Sequence, residues 1–230
     1  MASQKPVTRL ALFDLDNTLL TGDSDELWCA FLMDEGLLDR PEFAPRNADV
    51  ARRYAEGSVG TQEFCDFYAA TLAGRTLAEW RPWCERFMNE VVAPRIPASA
   101  RALVESHRAR GDRLVLTTAT NRVLTELTAQ HLRIDELLAT EVEVSDADQR
   151  CTGRTRGVLN MREGKVARLH TWLQREGLPP SALAQAVFYS DSINDLPLLT
   201  AVGEPVVVDP DPRLRAQALA RRWPIIELPR

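Results

Sequence analysis

Acidic and hydroxyl side chains cluster at three places along this 230-residue chain, each directly after a short apolar run. The clusters span Asp14 to Thr18, Thr118 to Asn121 and Ser190 to Asp195. If their aspartates share one cleft, the ionised carboxylates repel each other and need a compensating cation. An oxygen-rich set of this kind suits Mg²⁺, which supplies two positive charges and keeps several of its waters.

These residue types, once gathered, can transfer a phosphoryl group. One aspartate attacks phosphorus and forms an aspartyl-phosphate. A second protonates the leaving oxygen and then activates the water that hydrolyses the intermediate. Lys165 adds positive charge against the transferring phosphoryl group. Thr118 and the backbone N–H groups of a helix N-terminus can hold the phosphate oxygens.

The segments around the clusters predict an open, mainly parallel, Rossmann-like α/β sheet flanked by helices. Apolar runs predict strands at 8–13, 113–117, 186–189, 206–208 and 225–226. Amphipathic stretches predict helices at 98–110, 121–131, 163–176, 193–201 and 212–222. This alternation is typical of parallel βαβ units. Ligands of such sheets bind beyond the carboxyl ends of the strands, so the clusters are expected to converge there.

Two segments interrupt the alternation. Residues 21–95 place aromatic side chains at helical spacing and show no convincing strand, which predicts a small all-helical cap inserted after the first strand. The catalytic core is then expected to comprise residues 1–20 and 96–230. Residues 139–159 alternate, turn near Asp146 and alternate again, which predicts a β-hairpin.

Composition and charge narrow the possible partners and compartment. The net charge of −5 argues against nucleic acid as the main partner. No apolar run reaches the ~18 residues that cross a bilayer, and the N-terminus has no signal-like stretch. The four cysteines form no C-x-x-C pair, so we expect reduced thiols in a cytoplasmic protein. The three histidines are expected to pack or lie on helix surfaces, and the oligomeric state stays open.

The motifs, taken in order, resemble those of the haloacid dehalogenase (HAD) superfamily. The matching residues are Phe13 to Thr18, Thr118, Lys165 and Ser190 to Asp195, so the resemblance covers essentially the whole chain. Residues 21–95 resemble the C1 helical cap of the phosphoserine phosphatase-like branch. The resemblance implies a Mg²⁺-dependent phosphomonoesterase that hydrolyses a small phosphorylated metabolite through an aspartyl-phosphate.

The resemblance also implies roles for the four aspartates. Asp14 resembles the nucleophile, and Asp16 resembles the general acid/base. Asp14 and Asp191 resemble the side-chain ligands of the Mg²⁺ ion, and Asp16 would bind it through its backbone carbonyl. Asp195 resembles the residue that supports the metal site.

Three further features concern substrate binding. Thr118 and Lys165 resemble the phosphate-binding pair, with Thr117 as an alternative to Thr118. Asp23 stands where related phosphoserine enzymes carry a glutamate that contacts the substrate amine, and it is equally suited to capping a helix. The patch from Arg52 to Tyr54 is a further candidate, with a solvated helix face as its alternative.

Two other functions remain alternatives at this point. A phosphotransferase or mutase would use the same scaffold, but Asp16 would not activate water. A phosphorylatable signalling module without turnover would share the aspartate cluster, a threonine and a lysine with receiver domains. Receiver domains are shorter, however, and lack an insertion after the first acidic strand end.

Overall fold

One seven-stranded sheet organises residues 9–230, the part of the chain that the computed structural model describes. Its strands are β1 (Leu10–Phe13), β2 (Arg113–Asn121), β3 (Glu136–Val144), β4 (Cys151–Arg156), β5 (Val187–Ser190), β6 (Glu204–Val208) and β7 (Ile225–Ile226). The order is β4-β3-β2-β1-β5-β6-β7, and every neighbouring pair is parallel except β3 and β4. The predicted α/β class is therefore confirmed. Thr8, the predicted start of the first strand, lies outside the described residues.

Nine α-helices accompany this sheet within residues 9–230. Four follow β1, namely α1 (Ser24–Asp34), α2 (Arg40–Glu56), α3 (Thr61–Ala69) and α4 (Leu77–Phe87). The others connect the later strands and are α5 (Ala98–Ala109), α6 (Arg122–His131), α7 (Glu163–Arg175), α8 (Leu196–Ala201) and α9 (Pro212–Arg221). All seven described strands lie outside residues 21–95, which we call the helical insertion. No described helix is long and apolar enough to cross a membrane.

Polar side chains at the N-caps fix where several helices begin. The Asp23 carboxylate accepts hydrogen bonds from the first backbone N–H groups of α1, and Asp39 does the same for α2. Thr76 and Glu79 form a reciprocal capping box at the start of α4. Asp211 caps α9. These caps satisfy backbone donors that have no partner inside the helix.

Two apolar layers cover the sheet. One layer joins the sheet to the helical insertion, because Phe13 and Leu116 pack in the same buried cluster as Trp28 and Phe87. The other layer covers the opposite face and includes residues of β1, α7, α8 and α9. β1 lies between β2 and β5 and is fully buried, so the residue after it is held in a fixed position.

The predicted hairpin is confirmed as β3 and β4. The first half of β3 also pairs in parallel with β2, which the sequence did not predict. Its apolar stretch Leu137 to Ala139 is short and is compatible with a helix or a strand. The four cysteines are free and buried, in agreement with the expectation of reduced thiols.

Candidate active site

The carboxylates of Asp14 and Asp191 both lie beside the hydroxyl group of Thr18, at the carboxyl edge of the sheet. Thr18 Oγ1 donates to Asp191 Oδ1 at 3.0 Å and lies 3.4 Å from Asp14 Oδ2, and it accepts a hydrogen bond from the Asp191 backbone N–H at 3.1 Å. The Asp14 backbone N–H donates to the Tyr189 carbonyl of β5 at 2.9 Å. Two acidic clusters that lie far apart in the sequence therefore form one site, as predicted from the strand ends.

Lys165 is the cation of this site. It lies in the first turn of α7 and is 3% exposed, and its Nζ donates to Asp14 Oδ1 at 2.8 Å and to the Asp195 carboxylate at 2.7 Å. Burial alone would lower the pKa of Lys165, but the two carboxylates raise it above its usual value. Ser190 Oγ donates to Asp195 at 2.7 Å and orients that carboxylate. Lys165 consequently remains charged beside Asp14.

Burial raises the pKa of both aspartates that lie beside Thr18. It raises the pKa of Asp14 to about 7, although the Lys165 ammonium opposes the rise. Burial also raises the pKa of Asp191 well above its usual range, and the charge of Asp14 adds to this effect. Two carboxyl groups in such surroundings ionise together only when additional positive charge is present.

Asp16 is held by hydroxyl groups and a helix N-terminus. Its Oδ1 accepts from the Ser24 backbone N–H at 2.7 Å, and its Oδ2 accepts from Thr118 Oγ1 at 3.1 Å and Thr120 Oγ1 at 3.0 Å. Thr120 lines the cavity beside Asp14, whereas the fully buried Thr118 is not among the lining residues. The phosphate-binding role of Thr118 therefore stays a prediction.

Two further aspartates line the same cavity. Asp23 caps α1 and also lines the cavity, so both expectations for this residue describe its position. Asp25 lines the cavity as well and is 3% exposed; its Oδ2 accepts from Thr120 Oγ1 at 3.1 Å, while its Oδ1 has no hydrogen-bond partner. Burial, with the charge of nearby Asp16, raises the pKa of both Asp23 and Asp25.

Tyr54 is the member of the Arg52–Tyr54 patch that reaches the cavity. Its ring stacks on Phe64 with centroids 4.4 Å apart and planes inclined by 25°, and both rings line the cavity. Arg52 instead pairs with the acidic groups of its own helix, and Arg53 pairs with Glu63. These two arginines therefore lie on a solvated, ion-paired helix face.

Comparisons with known proteins identify the family. A model of haloacid dehalogenase-like hydrolases matches residues 11–200. This chain belongs to that family. It is 37% identical over 217 residues to a histidinol-phosphatase of Neisseria meningitidis serogroup C, covering 94% of this chain and 97% of the relative. It is 34% identical to a phosphoserine phosphatase of Mycobacterium tuberculosis, covering 96% of this chain and 72% of the relative.

A solved structure shares this fold. A protein of unknown function from Bordetella pertussis Tohama I superposes with a TM-score of 0.90 at 42% identity, covering 96% of this chain and 99% of that one. The chain is thus a phosphatase of the phosphoserine phosphatase-like branch of the HAD family.

Sequence reasoning missed two residues of this HAD site. Asp25 is one of them; it stands two residues after Asp23, and the sequence alone does not distinguish it from a solvated acid of a helix N-terminus. Asn160 is fully buried, and its side-chain amide donates to Thr117 Oγ1, the Thr118 carbonyl and the Leu138 carbonyl at 2.8–3.0 Å. It ties the loop before α7 to the middle of β2 and to the first half of β3.

Proposed function

We propose that this HAD phosphatase hydrolyses a small, cationic phosphate monoester through an aspartyl-phosphate on Asp14, with Mg²⁺ as its cofactor. The observation that carries the proposal is the position of the Asp14 carboxylate at the end of β1. One oxygen bonds to the Lys165 ammonium at 2.8 Å, and the other lies 3.4 Å from the hydroxyl shared with Asp191. Residues 21–95 act as the cap of the core formed by residues 1–20 and 96–230.

The donor set around Asp14 fits a hard divalent cation. Burial raises the pKa of both Asp14 and Asp191, so their ionised forms need positive charge close by. The described residues bring no three acidic, histidine or cysteine side chains together in metal-binding geometry. Mg²⁺ accepts one or two carboxylates completed by a carbonyl and waters. Asp14, Asp191 and the Asp16 carbonyl would hold the ion, supported by Asp195, and the bound ion would neutralise charge on the phosphoryl group.

The residues of the chain divide the chemical steps between them. Asp14 attacks phosphorus, while Lys165 binds a phosphoryl oxygen and balances its charge. Asp16 gives a proton to the leaving oxygen and later takes one from the attacking water. Thr118 is proposed as a second phosphate ligand, because it matches the phosphate-binding threonine of the HAD motifs and its hydroxyl lies beside Asp16 at 3.1 Å.

Phosphate release from p-nitrophenyl phosphate, with and without added Mg²⁺, tests this chemistry. Asp14→Asn is expected to lower kcat by about 10³-fold or more, since the amide is a poor nucleophile. Asp135→Asn makes the same chemical change at an exposed position and is expected to leave activity unchanged. Retained activity in Asp14→Asn contradicts the proposal. Preferred transfer to an added alcohol, or stable phosphorylation without release, contradicts hydrolysis.

The acidic lining of the cavity supports a cationic substrate. Asp25 presents a buried oxygen without a partner, and Asp23 lies beside it at the cavity. Among the described residues that line the cavity, Lys165 is the only cationic side chain, and Asp14 and Asp195 already neutralise it. An ammonium or imidazolium group therefore finds counter-charges here, whereas a substrate carboxylate does not.

Histidinol phosphate combines these properties. It carries an amine and an imidazole but no carboxylate, in contrast to phosphoserine. The stacked rings of Tyr54 and Phe64 offer an apolar, aromatic wall for a flat cationic ring. One relative that spans nearly the same length as this chain is a histidinol-phosphatase. We therefore propose histidinol phosphate over phosphoserine as the substrate.

The substrate proposal is tested by comparing kcat/KM for histidinol phosphate, phosphoserine and p-nitrophenyl phosphate. Asp25→Asn is expected to lower kcat/KM for histidinol phosphate by about 10–100-fold, because a buried charge pair is lost. The same variant should change hydrolysis of p-nitrophenyl phosphate, whose aryl group carries no positive charge, by less than about threefold. Equal losses on both substrates, or a preference for phosphoserine, would overturn the choice of substrate.

A further inference from the structure

One arginine of the core contacts the C-terminal end of α2. Arg213, in the first turn of α9, donates from Nη2 to the Ala55 carbonyl at 2.9 Å and from Nη1 to the Glu56 carbonyl at 3.2 Å. These carbonyls belong to the last turn of α2, where the helix dipole places partial negative charge. The positive guanidinium therefore complements the negative end of the helix. We call this contact the Arg213 latch.

Gly57 makes room for this contact. It follows α2 in the left-handed conformation with φ +73°, and a Cβ atom built there would lie 2.6 Å from Arg213 Nη1. Any other L-residue at this position would displace the guanidinium and would also strain the backbone. The helix end thus contains a recess that fits the arginine.

Both helices joined by the latch are connected to residues of the cavity. Tyr54 lies in the same last turn of α2 and lines the cavity. On the core side, Asp211 begins α9, and its carboxylate accepts from the Ile193 backbone N–H at 2.5 Å. The Asp211 backbone N–H donates to the Asp191 carbonyl at 2.9 Å. The latch consequently joins an aromatic wall of the cavity to the loop that carries Asp191.

The helical insertion is attached more firmly elsewhere. Backbone hydrogen bonds link Gly74 to Cys151 and Cys151 to Arg75, at 2.9 and 2.8 Å, so the insertion shares a backbone ladder with β4. Between α2 and α9, by contrast, the hydrogen bonds found among the described residues come from the Arg213 side chain. A contact made by one exposed side chain can open and close without disturbing either backbone.

We propose that Arg213 is a positioning residue that holds α2 of the insertion against the core and so keeps Tyr54 at the substrate cavity. The proposal rests on the proposed function only in taking this cavity as the place where substrate binds. Arg213 does not line the cavity, and Asp14, Asp16 and Lys165 all belong to the core. Loss of the latch therefore weakens substrate binding more than it slows the chemical step.

The kinetic test uses Arg213→Ala and Arg213→Lys. Arg213→Ala is expected to raise KM for the best phosphate ester by about tenfold and to change kcat by less than about twofold. Arg213→Lys, which keeps one donor group, should restore part of the affinity. An unchanged KM, or a fall in kcat alone, would overturn the proposal.

A pair of glycine variants separates the latch from backbone strain. Gly57→Ala and Gly177→Ala both place alanine in the left-handed conformation after a helix, but the Cβ at Gly177 meets no atom within 4 Å. Both variants should lose similar stability, and only Gly57→Ala should raise KM. In an Arg213→Ala background, Gly57→Ala should add no further change in KM. An equal KM effect of both glycine variants contradicts the latch.

Hydrogen exchange supplies a readout that does not depend on catalysis. In Arg213→Ala, peptides covering residues 50–60 should exchange severalfold faster than in the unmodified protein, while those of the sheet should not change. This result is expected even if no phosphate ester is hydrolysed, so failure of the latch and failure of the proposed function can be told apart. Unchanged exchange in residues 50–60 would overturn the latch.

Discussion

His107 lies outside the site and supports β1, the strand that precedes the proposed nucleophile Asp14. Its Nε2 lies 2.8 Å from the Tyr189 hydroxyl and its Nδ1 lies 2.7 Å from the Asp112 carboxylate. Its ring packs edge-on against Phe13, the residue that precedes Asp14, with centroids 5.5 Å apart. The sequence predicts packing for this histidine but not the polar network, because Tyr189 lies 82 residues away in the chain.

The pH dependence of stability follows from this environment. Burial lowers the pKa of His107, with Arg110 and Arg9 acting in the same direction and Asp112 opposing them. Below about pH 6.5 the unfolded chain therefore binds a proton that the folded state resists, so the free energy of unfolding falls as the pH falls. Above that pH the contribution is fully present. The free energy of unfolding, measured with urea between pH 5 and 8, should depend less steeply on pH in His107→Gln.

His170→Gln is the matched control for this experiment. His170 lies half-buried on α7, outside the network around Tyr189, so its substitution should leave the slope nearly unchanged. A His107→Gln variant with the slope of the unmodified protein would show that another group controls the acid side of the stability curve.

The buried hydrogen bonds of Asn160 predict that its removal destabilises the protein. Asn160→Ala removes the amide that donates to the Thr118 and Leu138 carbonyls and leaves buried polar atoms without that donor. The free energy of unfolding should fall by about 2–4 kcal/mol. Asn89→Ala, at an exposed position, should cost less than about 1 kcal/mol. Similar losses in both variants, measured by urea unfolding, would contradict this role.

At the level of elements, Asp66 adds a side-chain contact to the backbone ladder that joins the hairpin to the helical insertion. The Asp66 carboxylate of α3 accepts from the Thr155 backbone N–H at 2.8 Å and from the Thr155 hydroxyl at 2.7 Å. Asp66→Ala should therefore destabilise the protein by about 1–3 kcal/mol and speed proteolysis of the turn at 145–150. Asp49→Ala breaks only exposed ion pairs on α2 and should have little effect. Equal proteolysis of the two variants would contradict the tie.

Some of these elements could be predicted from the sequence and others could not. The ends of β1 and β5 were predictable to within one residue, because short apolar runs followed by polar clusters are local signals, and they sufficed to bring Asp14 and Asp191 together. The end of β2 was predicted wrongly, since the strand continues past residue 117 to Asn121. The parallel half of β3 was not predictable, since Leu137 and Leu138 fit either a helix or a strand until β2 lies beside them. The buried state of Asp25 likewise depends on where α1 packs.

At the level of the whole molecule, the insertion and the sheet share one apolar cluster. Trp28 and Phe87 of the insertion pack in the same cluster as Phe13 and Leu116 of the sheet. The two ends of the insertion lie together, since the Thr21 backbone N–H donates to the Arg95 carbonyl at 2.9 Å. Neither part can expose its side of the cluster without exposing the other side, which argues against independent unfolding.

Unfolding is therefore expected to be a single cooperative transition. Three of the five tryptophans, Trp28, Trp80 and Trp83, lie in the insertion, so replacing Trp172 and Trp223 by Phe makes fluorescence report on the insertion alone. In that variant the fluorescence transition in urea should coincide with the transition in far-UV circular dichroism, which reports on the whole chain. An earlier fluorescence transition would show that the insertion melts first. The apolar cluster shared with the sheet would then not couple the unfolding of the two parts.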